Sequence, residues 1–320
     1  MNEAKIRYYN SIKASKVSWL WYPYIPYSKI TIVQGDPGEG KTTLMLQVAA
    51  LLTVGKSVPD GKESISPVSV IFQGAEDGLA DTIKPRLEHA GADCSRVAFI
   101  DTRGGKRLSL SDDRFEQAIH ETGAKLLIID PLQAFLGNDA DISRPGGIRE
   151  AFAKLTMVAE ETGCAVVMIG HMNKGSGGKS IYRGLGSIDV AAAARSILLV
   201  GRNQEEPNTR IIVPIKSSLA PEGDAYSFEL DPEEGFQWLG PCKYTSGELL
   251  GTSIHHESKV ERAKEHIRMM LKDNDMYGAE ILNRLQKIGI SKRTVTTAKS
   301  ELGVETYKNG NVWFWHLEDE

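Results

Sequence analysis

The stretch Gly35-Asp36-Pro37-Gly38-Glu39-Gly40-Lys41-Thr42 matches the phosphate-binding loop pattern G-x-x-x-x-G-K-[ST] at every fixed position. A β-branched run at residues 29–33 precedes it, and residues 43–50 after it have helical composition. Strand, loop and helix in this order place backbone N–H groups and the positive end of a helix around phosphate oxygens. The stretch therefore predicts a nucleoside triphosphate site near the start of an α/β domain.

The pattern also assigns roles to individual residues of this loop. Its glycines let the backbone turn its N–H groups inward, Lys41 reaches the β and γ phosphates, and Thr42 offers a hydroxyl to Mg²⁺. ATP and Mg²⁺ are the predicted ligands. The residues predicted to contact the nucleotide are Gly35, Asp36, Pro37, Gly38, Glu39, Gly40, Lys41, Thr42 and Thr43.

Composition bounds the class of protein. The chain has 320 residues, of which 41% are apolar and 25% charged, as in soluble globular proteins. No apolar run approaches the length of a membrane span and the start lacks a signal-peptide core, so we expect a cytoplasmic protein without a membrane partner. The net charge of −4 means that any nucleic-acid binding must come from local basic patches.

The order of apolar and helical stretches predicts the architecture. Unbroken apolar runs at residues 68–72, 97–100, 126–129 and 165–169 alternate with helical stretches at 82–90, 112–122 and 148–162. This alternation is typical of a mainly parallel sheet with helices on both faces. After Ser196 the runs 197–200, 210–215 and 226–230 are joined by turns, which predicts an antiparallel extension of the same sheet.

A second, smaller domain is predicted beyond a linker. Residues 1–240 form the predicted core with its N-terminal lead-in, and residues 241–258 lose any clear period. Three helical patterns at 259–271, 278–288 and 291–302 then precede two short strands about Asn309-Gly310. Residues 259–320 are therefore predicted to be a winged helix-turn-helix, an arrangement used both for DNA and for protein contacts.

Two acidic residues follow strands and are candidates for the chemistry. Asp130 ends the run Leu126-Leu127-Ile128-Ile129 and is predicted to hold Mg²⁺, the alternative being an Asp-Pro turn. Glu76 and Asp77 follow the strand that ends at Phe72, at the edge where open α/β sheets bind ligands. Glu76 reaches farther and is predicted to orient the attacking water, the alternative being a solvated loop. Asp77, which precedes a glycine, could cap the next turn.

Basic residues supply further candidates. His171 ends another strand and is a candidate sensor of the γ phosphate, the alternative being a surface or packed histidine. A glycine-rich loop with Lys174, Lys179 and Arg183 follows it. This loop either contacts a nucleic-acid backbone or is a surface loop without a ligand. Arg195 and Lys216 either stabilise transition-state charge across a subunit boundary or form surface ion pairs.

Together these landmarks resemble the RecA-type core ATPases, and most closely the RepA-like hexameric replicative helicases with an AAA_25-type core, over about residues 19–239. The resemblance implies a RecA-like fold, ATP hydrolysis and DNA unwinding in replication of a plasmid, phage or other mobile element. It also implies that Glu76 activates water, His171 senses the γ phosphate, and Arg195 is donated to a neighbour. Related helicases carry a Lys-x-Arg pair on the later hairpin, where this chain has Lys216 followed by serines.

The predicted partners are single-stranded DNA in a central channel, further copies of the chain, and a primase or initiator protein. Lys292, Arg293 and Lys299 on the predicted recognition helix are candidates for duplex DNA contacts. Two other functions stay open at this point. One is a RecA-like DNA-binding ATPase that does not unwind, such as a recombination mediator, and the other is a DNA-binding regulator whose oligomerisation ATP controls.

Overall fold

The computed structural model of the chain describes residues 6, 8–59, 66–136, 147–172, 188–231, 233–250, 259–272, 274–287, 289–310 and 312–317. The chain divides into two compact units, Met1–Leu250 and Gly251–Glu320. Among the described residues, no helix combines the length and the apolar character that crossing a bilayer requires.

A nine-stranded sheet forms the centre of the larger unit. Its strands are β3 (Ile30–Gly35), β4 (Val70–Gly74), β5 (Val97–Ala98), β6 (Leu126–Asp130), β7 (Ala165–His171), β8 (Ser196–Arg202), β9 (Thr209–Ser217), β10 (Ala225–Asp231) and β11 (Gly235–Cys242). Their spatial order is β11-β10-β9-β8-β3-β7-β6-β4-β5. Neighbours pair in parallel from β8 to β5 and antiparallel from β8 to β11. The predicted mainly parallel sheet with an antiparallel extension is confirmed.

Helices cover both faces of this sheet, which explains the unbroken apolar runs. Leu126 and Ile128 of β6 pack into one hydrophobic cluster, whereas Leu127 and Ile129 pack into another on the opposite face. Among the described residues, the α-helices of this unit are Lys41–Thr53, Lys84–His89, Arg114–Thr122, Leu132–Phe135, Gly147–Thr162, Ile188–Ala193 and Ser246–Leu249. Two short strands, β1 (Trp19–Trp21) and β2 (Ile25–Pro26), pair separately in the predicted lead-in.

One strand of the extension was not predicted. β11 pairs with β10 along its whole length, and its Phe236 ring stacks on Phe228 with centroids 4.9 Å apart. A register shift in this pairing leaves Leu239 half-exposed, so the strand does not show the alternation that identifies a strand in sequence. Pro241 is tolerated because β11 is at the edge of the sheet.

The smaller unit contains three helices, Lys259–Leu271, Gly278–Lys287 and Lys292–Glu301. A small antiparallel sheet accompanies them in the order β12-β14-β13, formed by β12 (Met276–Tyr277), β13 (Glu305–Asn309) and β14 (Val312–His316). Ser291 begins the third helix by accepting a hydrogen bond from the Thr294 backbone N–H at 3.2 Å. The unit thus has its own core, in which Trp315 of the hairpin packs among buried residues of all three helices.

Candidate nucleotide site

The phosphate loop joins β3 to the helix Lys41–Thr53 at the carboxyl edge of the sheet. Gly38 and Gly40 have φ angles of 80° and 83°, a left-handed conformation that glycine adopts without strain. A Cβ atom on Gly35 would lie 2.1 Å from the backbone oxygen of Val200 in β8. Glycines are therefore required both to turn the loop and to let it lie against the neighbouring strand.

Lys41 is held inside the loop. Its side chain donates hydrogen bonds to the backbone oxygens of Gly35 at 2.9 Å and Asp36 at 2.7 Å, and the residue is only 4% exposed. Burial lowers the pKa of the ammonium, while Asp130 and other nearby carboxylates oppose this shift. A buried cation held by backbone oxygens of its own loop is positioned to exchange them for phosphate oxygens.

Thr42 and Asp130 fit a magnesium site. The Thr42 hydroxyl donates a hydrogen bond of 2.6 Å to Oδ2 of Asp130, the last residue of β6. No group of three or more acidic, histidine or cysteine ligands occurs in the part of the chain that the structure describes. One carboxylate and one hydroxyl fit Mg²⁺, so Thr42 and Asp130 would hold the ion, which when bound would neutralise charge on the nucleotide phosphates.

Burial of Asp130 has a consequence for stability. The residue is 9% exposed, and burial raises the pKa of its carboxyl, an effect that the hydrogen bond from Thr42 opposes. A carboxyl whose pKa is raised on folding makes the charged folded state less stable above that pKa, and this penalty disappears as the pH falls. Thr42, His171 and Lys41 offset part of this penalty, and a bound divalent cation would offset more of it.

We expect Asp130→Asn to raise the free energy of unfolding of the nucleotide-free protein by about 0.5–2 kcal/mol near neutral pH. The neutral amide avoids the buried charge, and its oxygen still accepts the hydrogen bond from Thr42. The difference from wild type should shrink as the pH is lowered towards 3.8, the ordinary pKa of the group. Urea denaturation at several pH values measures this, and a variant less stable than wild type at neutral pH would contradict it.

Glu76 and His171 lie together beside this pair. Nε2 of His171, at the end of β7, is 3.7 Å from Oε2 of Glu76, whose side chain is 65% exposed. The charge of Glu76 acts on both Lys41 and Asp130, so the four groups share one site. Nδ1 of His171 is buried and has no hydrogen-bond partner among the described residues. The arrangement leaves the Glu76 carboxylate open to water beside His171.

Asp77, the other acid of this turn, is engaged elsewhere. Its carboxylate forms an ion pair of 3.1 Å with Arg86 in the next helix. Glu76 is therefore the acid of the turn that faces the phosphate loop and His171. The structure brings together Lys41, Thr42, Glu76, Asp130 and His171 at one edge of the sheet, and their roles in hydrolysis stay predictions.

An ion cluster behind the phosphate loop was missed in the sequence. The Glu39 carboxylate lies 3.5 Å from Nε of Arg210 and 3.8 Å from Nε of Arg202. The Arg210 side chain is 7% exposed, and burial lowers the pKa of its guanidinium. The cluster ties the loop to β8 and β9, far along the chain, and no sequence spacing indicates such a pair.

Arg195 and Lys216 lie at the end of the sheet opposite to the phosphate loop, where the parallel strands β3 and β8 begin. Arg195 precedes Ser196, which pairs with Thr31 at the start of β3, and Lys216 pairs with Ile197. About four residues of strand, or about 13 Å, separate this edge from the phosphate loop. Neither cation serves the loop of its own chain, so both stay predictions for a neighbour's site.

Lys216 also has partners within its own chain. Its ammonium donates to the backbone oxygens of Ala191 at 2.8 Å and Ala194 at 2.7 Å, where the helix Ile188–Ala193 ends. Burial lowers the pKa of this amine, and nearby Arg195 lowers it further. A role in a neighbouring site requires these backbone hydrogen bonds to be exchanged.

The predicted nucleic-acid contacts have different outcomes. Lys174, Lys179 and Arg183 lie outside the described residues. Lys292 and Arg293 are exposed in the first turn of the third helix of the smaller unit. Lys299 is not exposed in the same way, because its ammonium lies 4.8 Å from the centre of the Trp315 ring and burial lowers its pKa.

Comparison with known proteins agrees with this geometry. The RadA DNA repair protein of Halalkalibacterium halodurans is 30% identical over 148 residues, which are 45% of this chain and 28% of that protein. RadA of Bacillus subtilis is 28% identical over the same length. This chain thus matches less than a third of the length of these relatives.

A solved structure and a family profile complete the comparison. The ATPase domain of G40P superposes with a TM-score of 0.51 at 17% identity, covering 66% of this chain and 85% of that one, which shows a common fold. The profile of the AAA domain family AAA_25 matches residues 5–177, more than half of the chain. The chain therefore belongs to the AAA_25 family and is a P-loop ATPase with a RecA-type core.

Proposed function

We propose that the protein is an ATP-hydrolysing DNA helicase or translocase of the RepA-like hexameric class, acting in replication of a plasmid, phage or other mobile element. The observation that carries this proposal is the division of the site. Lys41, Thr42 and Glu76 meet at one edge of the sheet, whereas Arg195 and Lys216 lie at the other. If copies assembled head to tail in a ring, the end of one sheet that carries Arg195 and Lys216 would face the phosphate loop of the next copy.

Each residue of the site has a defined task in hydrolysis. Lys41 binds the β and γ phosphates, Thr42 and Asp130 hold Mg²⁺, and Glu76 orients the water and accepts its proton. His171 contacts the γ phosphate and responds to its loss. A cation of the neighbouring copy then stabilises the charge that develops as the γ phosphate leaves.

DNA is the proposed second ligand. β7 ends at His171, and the chain continues directly into the segment that carries Lys174, Lys179 and Arg183. A change at the γ phosphate would in this way reach a cationic segment suited to a DNA backbone. The smaller unit is proposed to be a winged helix. It would either contact duplex DNA through Lys292 and Arg293 or bind a partner protein, namely a primase or an initiator.

A second candidate is a RecA-like ATPase that binds DNA without unwinding it. It is favoured by the similarity to proteins named for DNA repair, and it uses the same residues for hydrolysis. The two functions differ in their product. Both predict hydrolysis that DNA stimulates, but only the helicase separates strands.

We expect the wild-type protein with Mg²⁺ and a non-hydrolysable ATP analogue to form hexamers and, with ATP, to unwind a forked duplex. Native mass spectrometry with and without nucleotide and a fork-unwinding assay measure the two properties. The Arg195→Ala variant, without wild-type copies present, should hydrolyse ATP poorly yet still bind nucleotide. A stable monomer with full ATPase activity would contradict the divided site, and DNA-stimulated hydrolysis without unwinding would favour the second candidate.

A further inference from the structure

A second cleft opens at the carboxyl edge of the sheet, beside the ends of β4 and β6. Its volume is about 630 Å³, within the range of small-ligand sites. The polar side chains that line it are Gln73, Thr102, Lys106, Arg107, Ser109 and Gln133. None of the described residues that line the cleft carries a carboxylate. Two cations and four neutral hydrogen-bonding groups make this an environment for an anion.

The cationic wall of the cleft rests on an anchored backbone. Arg114 donates a hydrogen bond of 2.8 Å to the backbone oxygen of Lys106 and is itself held by Asp112 at 2.7 Å. The Gln73 side chain accepts a hydrogen bond of 2.9 Å from the backbone N–H of Ile100, and Leu108 is buried in the core. Lys106 and Arg107 are nevertheless exposed, so their charges are available to a ligand.

The walls of the cleft continue into the hydrolysis site. Gln73, Gly74 and Ala75 line the cleft, and Glu76 is the next residue. Gln133, on the opposite wall, donates a hydrogen bond of 3.3 Å to the backbone oxygen of His171. The Ala75 backbone N–H donates to the backbone oxygen of Asp130 at 3.0 Å. A ligand in the cleft would therefore contact segments that are bonded to three residues of the hydrolysis site, Glu76, Asp130 and His171.

We propose that this cleft binds phosphate groups of single-stranded DNA through Lys106 and Arg107, and that occupancy there positions Glu76 and His171 for hydrolysis. The inference rests on the proposed function and assigns a DNA contact to residues outside the cationic segment after β7. Single-stranded DNA suits the cleft because its phosphates alternate with bases that can enter a concave surface, whereas a duplex is too wide.

The test compares Lys106→Gln/Arg107→Gln with wild type, both in the whole 320-residue chain. We expect oligo(dT) to bind about tenfold more weakly to the variant near physiological salt. The slope of log affinity against log salt should fall by about 0.7 for each phosphate that the variant no longer neutralises. Basal ATPase activity should stay within about twofold of wild type, and most of the stimulation by oligo(dT) should disappear.

Arg107→Gln and Arg103→Gln form a matched pair of single variants. Both remove one exposed arginine from the same loop, but Arg103 does not line the cleft and pairs with Asp101 at 2.6 Å. Only Arg107→Gln should weaken oligo(dT) binding and the stimulation of hydrolysis. Equal weakening in both variants would mean a diffuse charge effect and would overturn the cleft assignment.

The remaining outcomes separate the two proposals. If oligo(dT) stimulates wild type and the double variant equally, the cleft assignment is wrong and the proposed function stands. If wild type hydrolyses ATP but neither binds nor responds to oligo(dT), both are wrong. Inhibition by inorganic phosphate that the double variant relieves, with oligo(dT) binding unchanged, would assign the cleft to a small anion instead of DNA.

Discussion

Replacing Lys41 by alanine is expected to lower the rate of ATP hydrolysis by about 10²–10³-fold, the effect of removing one preorganised charge from a transition state. Lys41 is 4% exposed, and its ammonium is already directed into the loop by hydrogen bonds to the backbone oxygens of Gly35 and Asp36. Little reorganisation is needed before it contacts phosphate. Single-turnover hydrolysis with saturating enzyme measures the chemical step, and binding of a fluorescent ATP analogue measures the affinity separately.

Two controls define the cause of this effect. Lys41→Arg keeps the charge, but the planar guanidinium does not fit the space of the ammonium between the two carbonyl groups, so it should restore little activity. The melting temperature of Lys41→Ala measures folding separately from the chemical step, because the change also removes the hydrogen bonds to Gly35 and Asp36, whose contribution is partly offset by burial of the charge. Activity of Lys41→Ala within about tenfold of wild type would exclude this loop as the hydrolysis site.

The parts of the fold that sequence predicted well are those with local signals. Two fixed positions of the phosphate loop are explained by its backbone: Gly40 has a φ angle of 83°, and a Cβ atom on Gly35 would lie 2.1 Å from the backbone oxygen of Val200. The parallel strands are apolar on both faces, as β6 illustrates, so each of them appears in the sequence as an unbroken apolar run. Asp130, which ends such a strand, was found because a polar residue there must lie at the edge of the sheet.

The parts that sequence missed depend on distant residues. Glu39 occupies a variable position of the loop pattern, and only the folded structure shows that it forms an ion pair with Arg210. The bulge in β11 hides that strand, because it breaks the alternation near Leu239. Lys299 is a basic residue on the predicted recognition helix, as expected of a DNA contact. In the packed unit, however, its ammonium lies over the Trp315 ring. Such features arise from tertiary packing, which a single sequence does not encode locally.

The same limit applies to the division of the candidate site. Sequence order gives no sign that Arg195 and Lys216 lie about 13 Å along the sheet from the phosphate loop. Strand pairing does, because Ser196 meets Thr31 and Lys216 meets Ile197. The direction of β8 relative to β3 therefore places both cations away from the phosphate loop of their own chain, and their action on a neighbouring copy stays a prediction.

Glu76→Gln is expected to lower hydrolysis by about 10²–10⁴-fold while leaving nucleotide binding nearly unchanged, since it removes a base and keeps the shape. The Glu76 side chain is 65% exposed and lies 3.7 Å from Nε2 of His171, so an amide fits there without a packing defect. Binding and hydrolysis should separate in this variant: it should retain ATP and the ATP-dependent oligomer. Measuring single-turnover hydrolysis and analogue affinity on the same sample checks both.

Asp77→Asn is the matched control for this prediction, because it removes the same charge from the adjacent residue. Asp77 is bound to Arg86 at 3.1 Å and is turned away from the phosphate loop, so its replacement should change hydrolysis by less than about threefold. The contrast between neighbours tests orientation, since a general effect of negative charge on the site would affect both variants. If Asp77→Asn were less active than Glu76→Gln, the water would have to be oriented from the helix side of the turn, and the pairing of Glu76 with His171 would serve structure instead of catalysis.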